Sequence, residues 1–349
     1  MTTQAAGATL LERLEQGPVI CAEGYLFEFE RRGYLQAGAY VPEIVLEHPE
    51  MVAGLHREFV HAGSDVVEAF TYYAHREKMR IIGKEELIEP LNRDALTIAR
   101  QVADESGCLA AGDLSNTNAF YPDDDSRRAV RAMFTEQVQW IVDAGMDFVI
   151  AETLSWGEEA LLALEVIKEA GLTAVVTLSI HRDGDVREGW SPEDTCARLE
   201  QAGADVVGLN CIRGPQTMLP LIARIRDAVD CHVAALPVPY RTTDAEPSFQ
   251  SLTDPDCDCL PNGRPFPTAL DPFTCNRYEI GQFGREAYEL GVRYLGVCCG
   301  AGPHHIRSLA EALGRETPAS RFTADMSRHA FLGTDTHLRS HNQAYAGEL

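Results

Sequence analysis

The stretch QAGADVVGLNC, residues 201–211, ends a helix-like run on a small residue and glycine, then enters a short apolar segment. Glycine there suits the left-handed turn that closes a helix. The apolar segment is rich in β-branched residues and does not alternate with polar ones, as expected of a parallel strand covered on both faces. The same grammar recurs in HAGSDVVEAF (61–70), DAGMDFVIAET (ending at Thr153), EAGLTAVVTLS (169–179) and ELGVRYLGVCC (289–299). With weaker matches added, eight strands are predicted at 18–23, 65–70, 108–113, 147–152, 173–179, 205–211, 232–237 and 294–299. Helical patterns such as 126–144 and 158–170 lie between most of them. Eight strand–helix units in 349 residues predict an α/β fold, a (β/α)8 TIM barrel. The competing architecture, an open doubly wound sheet, would favour a glycine-rich phosphate turn after the first strand, and no GxGxxG stands there.

Composition bounds the partners. A formal charge of -23 argues against nucleic acid, whose phosphates need a basic surface, and against an anionic membrane face. No apolar run is long enough to span a bilayer, and the N-terminus lacks the basic and apolar regions of a secretory leader. These readings predict a cytoplasmic protein whose ten cysteines stay reduced. The residues beyond about 315 lack barrel grammar. The chain therefore divides into a barrel, 1–315, and a C-terminal arm, 316–349, expected to join subunits into a homodimer or homotetramer. The segment 240–275, between the last two strands, reads either as a lid or binding loop or as a surface excursion.

Parallel barrel strands all point one way, so Cys211, at the end of GLNC, and Cys298 and Cys299, at the end of GVCC, emerge around one mouth. A catalytic zinc site has three protein ligands and an open place, and the trio matches that count. The glycines Gly296 and Gly300 are expected to let the chain bend so that both neighbouring sulfurs reach one ion. Buried, inert thiols are the alternative. A thiolate-rich zinc suits the binding and ionising of an incoming thiol, which points to alkyl transfer to sulfur.

GLNC followed by GVCCGAGPHHIR resembles the zinc signature of the homocysteine S-methyltransferases, in particular the betaine–homocysteine branch. The similarity extends through LLERLEQG, RRGYLQAGAYVPE, HPEMVAGLHREFVHAGSDVVEAFTYYA, IARQVADE, FVIAET, REAYELGVRYLGVCCG and TPAS. It implies a TIM barrel, one Zn2+, homocysteine as thiol acceptor and an onium methyl donor, with methionine as product. It also implies Cys211, Cys298 and Cys299 as metal ligands. Glu152 would bind the homocysteine amino group, with Glu23 and Gly24 beside it, and Asn210 would orient the site. Tyr40 and Tyr73 would face the donor, whose positive charge aromatic rings attract. Three departures stand out. Ala22-Glu23-Gly24 replaces the family's Asp-Gly-Gly, Thr153 replaces the tyrosine after the strand-four glutamate, and Gly296-Val297 replaces Gly-Gly. They leave open a sulfonium or another methylated amine as donor, or a different thiol as acceptor. A zinc-binding redox sensor without turnover is a third reading, encouraged by Cys257 and Cys259.

Overall fold

The computed structural model describes residues 7–256 and 263–349. Cys257 and Cys259 lie outside the described residues. Eight parallel strands close in sequence order: β1 (Val19–Ala22), β2 (Val66–Glu68), β3 (Leu109–Ser115), β4 (Phe148–Leu154), β5 (Ala174–Leu178), β6 (Val206–Asn210), β7 (His232–Leu236) and β8 (Tyr294–Val297). Closure is made by β1 against β8, in the register Val19–Tyr294, Ile20–Leu295, Cys21–Gly296 and Ala22–Val297. All eight expected strands form, most of them shorter than the apolar runs. The trimmed C-terminal residues include Cys211, Cys298 and Cys299, so the sulfurs sit on loops just past the strands, where barrel chemistry is placed.

Of the thirteen α-helices among the described residues, four come early: α1 (Leu10–Gln16), α2 (Tyr25–Arg31), α3 (Ile44–Glu47) and α4 (Pro49–Ala62). They are followed by α5 (Arg76–Ile82), α6 (Ile88–Ser106), α7 (Asp124–Asp143), α8 (Gly157–Glu169) and α9 (Pro192–Gln201). The last four are α10 (Pro215–Ala228), α11 (Arg277–Glu289), α12 (Pro303–Ala312) and α13 (Ser340–Tyr345). The outer layer is α4, α6, α7, α8, α9, α10, α11 and α12, one after each strand in turn.

Side chains alternate across each strand, and this parity splits the core in two. Ile20, Val67, Ala110, Val149, Val176, Val207, Ala235 and Leu295 belong to the cluster under the helices. Val19, Cys21, Val66, Leu109, Ala111, Phe148, Ile150, Val175, Val206, Ala234, Leu236 and Tyr294 fill the barrel interior, with Leu10 and Leu14 of α1 plugging its lower end. The barrel's last turn is tied back by Arg315, which donates to Asp65 Oδ1 at 2.6 Å. Asp65 Oδ2 in turn accepts from the Ile20 amide at 2.8 Å. Beyond that tie the chain continues in short turns, Pro318–Phe322 and Met326–Arg328, before α13.

Candidate active site

Continuing the inward parity by one step at the upper rim gives the site. After Val19 and Cys21 comes Glu23, and after Val66 comes Glu68. After Leu109 and Ala111 comes Asp113, and after Phe148 and Ile150 comes Glu152. After Val206 and Gly208 comes Asn210, and after Tyr294 and Gly296 comes Cys298. The rim is therefore four carboxylates on one side, with an amide and a sulfur opposite.

Cys211, Cys298 and Cys299 converge with sulfurs within 4.8 Å of one another. Cys298 and Cys299 Sγ are 3.8 Å apart and are free thiols. Hydrogen bonds from Cys298 and then Cys299 hold the Cys211 thiol well below the ordinary thiol range. Cys298 is pushed up, first by burial, and Cys299 is pushed up, first by its hydrogen bond to Cys211. Three soft donors at this spacing fit one thiophilic ion.

Of the two glycines expected to bend the cysteine loop, Gly300 does so and Gly296 does not. Gly296 lies inside β8, where a Cβ would meet the Cys21 carbonyl at 2.1 Å. Its bareness serves close strand packing rather than a bend. Gly300 does bend the chain, at φ +95°, and a Cβ there would come within 2.2 Å of the Tyr240 hydroxyl. Arg31 of α2 fastens this turn by donating to the Gly300 carbonyl at 3.1 Å and to Tyr240 Oη at 2.9 Å. Gly300→Ala is expected to displace the cysteine loop, to weaken metal retention at least about tenfold and to cost about 2 kcal/mol of stability. Chelator competition and urea unfolding check both.

His305, in the HHIR that follows, is buried. The Gly302 amide donates to its Nδ1 at 3.1 Å, so its Nε2–H donates to the Cys275 carbonyl at 3.0 Å. It anchors the loop.

Asn210 is the hub between sulfurs and carboxylates. Its Nδ2 donates to Glu152 Oε2, to Glu23 Oε2 at 3.3 Å and to Thr153 Oγ1 at 3.0 Å, and approaches Cys298 Sγ at 3.9 Å. Its Oδ1 accepts from the Thr153 amide at 2.8 Å and from Thr177 Oγ1 at 3.0 Å. Glu23, one position later than the family's aspartate, thus reaches the same group of atoms as Glu152 and Cys298. Gly24 instead packs against the loop after Cys299: a Cβ there would lie 2.2 Å from the Ala301 carbonyl.

Burial dominates the carboxylates. It raises Glu152 and Glu68 well above the carboxylate range, and pushes Glu23 and Asp113 up to about 8. A carboxyl held protonated by the fold stabilises it below the unfolded-state value, and that stability is lost as pH rises through the folded-state value. In cation-free buffer the protein is therefore expected to lose a few kcal/mol between about pH 4 and about pH 8. Asp113→Asn should flatten the slope. Urea unfolding across that range checks it.

Two cavities meet at the sulfurs. The inner one is lined by the four carboxylates with Tyr25, Leu26, Phe70, Tyr72, Cys298 and Cys299. The outer one, of about 160 Å³, has an aromatic wall that includes Tyr40, Tyr73, Phe27, Phe249 and Phe266, and a polar wall that includes Asn118, Ser155 and His181. Leu26, Tyr72 and Cys299 line both. Tyr40 and Tyr73, the tyrosines expected to face the donor, both line this outer cavity. Phe249 and Phe266 come from the 240–275 segment, so described residues of that segment line the outer cavity. Six non-glycine residues among those described have positive φ: Tyr40, Tyr73, Asn118, Thr153, Cys211 and Ile212. All six line the outer cavity. Such backbone costs on the order of 1–3 kcal/mol per residue and gathers at functional sites.

Sequence reading missed Glu68, Asp113, Tyr72, Phe27, His181 and the Arg31–Tyr240 clamp. The signal for the first two was present, since each continues its strand's inward parity. Phe27 and Arg31 sit on the short helix α2, and Tyr72, His181 and Tyr240 on backbone outside the helices and barrel strands, where no long periodicity marks them.

Known proteins bear on this geometry. The family profile for homocysteine S-methyltransferase matches residues 19–313. The chain is 39% identical over 326 residues to betaine–homocysteine S-methyltransferase 1 of Xenopus tropicalis, covering 90% of this chain and 78% of that protein. It is 36% identical over 315 residues to the S-methylmethionine–homocysteine S-methyltransferase BHMT2 of Pongo abelii, covering 88% and 82%. The solved metallated form of the homocysteine methyltransferase MmuM from Escherichia coli superposes with a TM-score of 0.66 at 18% identity, covering 85% of this chain and 96% of that one. That likeness concerns the fold. On the profile match and the identities together, this chain belongs to the homocysteine S-methyltransferase family and is a homocysteine S-methyltransferase.

Proposed function

We infer that the protein moves a methyl group from a small onium donor to the thiol of homocysteine, with zinc held by Cys211, Cys298 and Cys299. The observation that carries this reading is the meeting of an anionic cavity and an aromatic cavity at the three sulfurs. The donor set is all sulfur, which suits zinc. When bound there, zinc supplies a lowered thiol pKa, so that the acceptor sulfur is ionised at neutral pH.

The chain's own residues do the rest. Glu152 and Glu23 receive the acceptor's ammonium by charge-assisted hydrogen bonds, and Asn210, bonded to both, fixes their spacing. Leu26 lines both cavities and stands between the acceptor's ammonium site and the donor's aromatic wall. Tyr40, Tyr73 and the phenylalanines present ring faces to the donor's positive charge. A volume of about 160 Å³ suits a small onium compound and is too small for a nucleoside-bearing one. The thiolate attacks the methyl carbon in line. The new S–C bond forms as the donor's own bond to that carbon breaks, its electron pair leaving on a neutral amine or sulfide. No general acid is needed, and the protein's contribution is alignment and exclusion of water.

Thr153 lines the cavity where the betaine branch has a tyrosine. One ring fewer favours a second donor reading, a sulfonium. Glycine betaine, dimethylsulfoniopropionate and S-methylmethionine, each assayed with homocysteine by mass spectrometry of the methylated thiol, separate the donors. The expected outcome is methionine from at least one of them. If none yields it, the reading fails. Zinc release under mild oxidation, with no transfer from any donor, would instead favour the redox sensor.

The arm 316–349 is assigned to contact between subunits, because Phe322, Met326, Leu332, Tyr345 and Leu349 expose apolar side chains there. Among the described residues no helix is long and apolar enough to cross a membrane. The cytoplasm is the proposed place of action because the three clustered sulfurs must stay reduced to hold a metal.

A further inference from the structure

Cys211 and Ile212 follow one another in left-handed backbone, at φ 55° and 59°. A β-branched residue rarely adopts that region, and such a turn persists only where its surroundings over-determine it. Backbone bonds hold it from the β7 side. The Cys211 amide donates to the Leu236 carbonyl at 2.9 Å. The Ile212 carbonyl accepts from the Phe249 amide at 2.9 Å, and the Arg213 carbonyl from the Val238 amide at 3.0 Å. Toward β5 the tie is a side chain. Arg213 donates from Nε to the Ile180 carbonyl at 2.9 Å and from Nη2 to the His181 carbonyl at 2.5 Å.

This arginine is 7% exposed, and among the described residues no carboxylate forms an ion pair with it. A buried charge is costly unless its hydrogen-bonding groups are met. Here two consecutive carbonyls of a neighbouring loop meet them, and the planar fork of a guanidinium holds such a pair in a fixed direction.

The loop so held belongs to the polar wall of the outer cavity. Ser179 Oγ donates its one proton to the Thr153 carbonyl at 3.1 Å. Ser155 Oγ, 2.9 Å away, therefore donates to Ser179 and accepts from His181 Nε2 at 3.3 Å. The Thr153 amide donates to Asn210 Oδ1 at 2.8 Å, and Asn210 directly precedes Cys211. The bonds close a ring, from Arg213 through His181, Ser155, Ser179 and Thr153 back to Asn210 and Cys211. Removing the arginine fork opens that ring beside the sulfur.

Resting on the metal site inferred above, we propose that Arg213 is a positioning residue for the reaction. By holding the Ile180 and His181 carbonyls it fixes the strained Cys211–Ile212 turn, and so keeps the Cys211 sulfur at ligand spacing from Cys298 and Cys299.

The test loads the full chain with Co2+, whose ligand-field bands report thiolate number and geometry, and separately with zinc. Arg213→Met keeps the apolar stem and removes the fork. Arg213→Lys keeps the charge but meets one carbonyl at a time, and it carries the test where the methionine variant does not fold. Arg226→Met is the control, because Arg226 also donates to two carbonyls, those of Cys231 at 2.7 Å and of Val229, at the far end of the barrel. Arg213→Met is expected to bind one ion with shifted, weaker cobalt bands. It should release zinc to a chelator at least about tenfold faster and lower kcat at least about tenfold, with the homocysteine KM nearly unchanged. Arg213→Lys should fall between it and the unaltered chain. Arg226→Met should match the unaltered chain in bands, release and kcat, whatever it loses in urea unfolding. Absence of thiolate–cobalt bands in the unaltered chain would sink the sulfur site and this inference with it. Bands in the unaltered chain that both Arg213 variants reproduce, with the same zinc release, would overturn the role of Arg213 alone. An equal loss in Arg226→Met would overturn it too, as an effect of stability in general.

Discussion

Cys298→Ala is expected to bring zinc content from about one per chain to near zero, and turnover down by more than about 100-fold, the upper end of what loss of a supporting partner costs a metal site. The reason is the open character of the site. With three protein ligands there is no spare donor, and a two-sulfur remnant cannot compete with water and buffer for the ion. The fold should survive. Cys298 is one small side chain just beyond β8, and the amide of the same residue, which donates to the Pro237 carbonyl at 2.9 Å, is untouched by the change. Cys196→Ala is the control. Cys196 is equally buried but sits in α9 among apolar neighbours, so its loss should cost about 1 kcal/mol and leave zinc and turnover in place. Metal analysis, steady-state rates and urea unfolding on the two variants separate a ligand from a packed thiol. Zinc retained in Cys298→Ala would end the assignment of the triad.

The barrel was legible because its signals are local and repeated. Glycine after most of the helices and a short apolar run after it specify strands one at a time, and eight of them leave closure as the way to cover every edge. The sulfur trio was legible for the same reason, as each cysteine follows directly on a strand. What the sequence hid needs contacts between distant segments. Phe249 meets Phe27 at 6.0 Å and Phe266 at 4.9 Å, three rings from α2 and a distant loop whose joint wall no spacing announces. Arg31 reaches residues more than two hundred positions away, Gly300 and Tyr240. Glu68 and Asp113 are a different case. Each could have been found by counting alternate residues from Val66 and Leu109, since a carboxylate at an inward position of a barrel strand is a buried charge that calls for a partner. Gly296 shows the reverse error. A glycine beside two cysteines invites a reading as hinge, whereas the neighbouring strand's carbonyl, invisible in sequence, is what excludes a side chain there.

Glu152→Gln should separate function from stability more sharply than any other single change. The carboxylate is buried and raised well above its usual range, first by burial and next by the charges of Glu23 and Asp113. Ionisation of this glutamate in the unfolded chain favours unfolding at neutral pH and glutamine lacks it, so the variant is expected to melt higher than the unaltered protein there. Glutamine can still accept from Asn210 and Thr153 through its amide oxygen, so the hub around Asn210 stays intact. The acceptor loses the partner of its ammonium. Truncation of one member of a desolvated charge pair costs about 2–5 kcal/mol, which is about 30- to 5,000-fold in kcat/KM for the acceptor. The loss should appear with homocysteine as the varied substrate, with the donor's KM nearly unchanged, because Glu152 lines the inner cavity and not the outer one. Steady-state kinetics with each substrate varied in turn, beside a thermal melt in the same buffer, reads both effects. Gains of stability bought at the expense of activity are usual where a site is built from strained or unpaired groups, and here the strain has a stated source. Four buried carboxyls surround a space in which burial holds them protonated, and the acceptor's ammonium is what favours ionisation there. An unchanged acceptor KM in Glu152→Gln would place the ammonium elsewhere and remove the reason for that layer's charge.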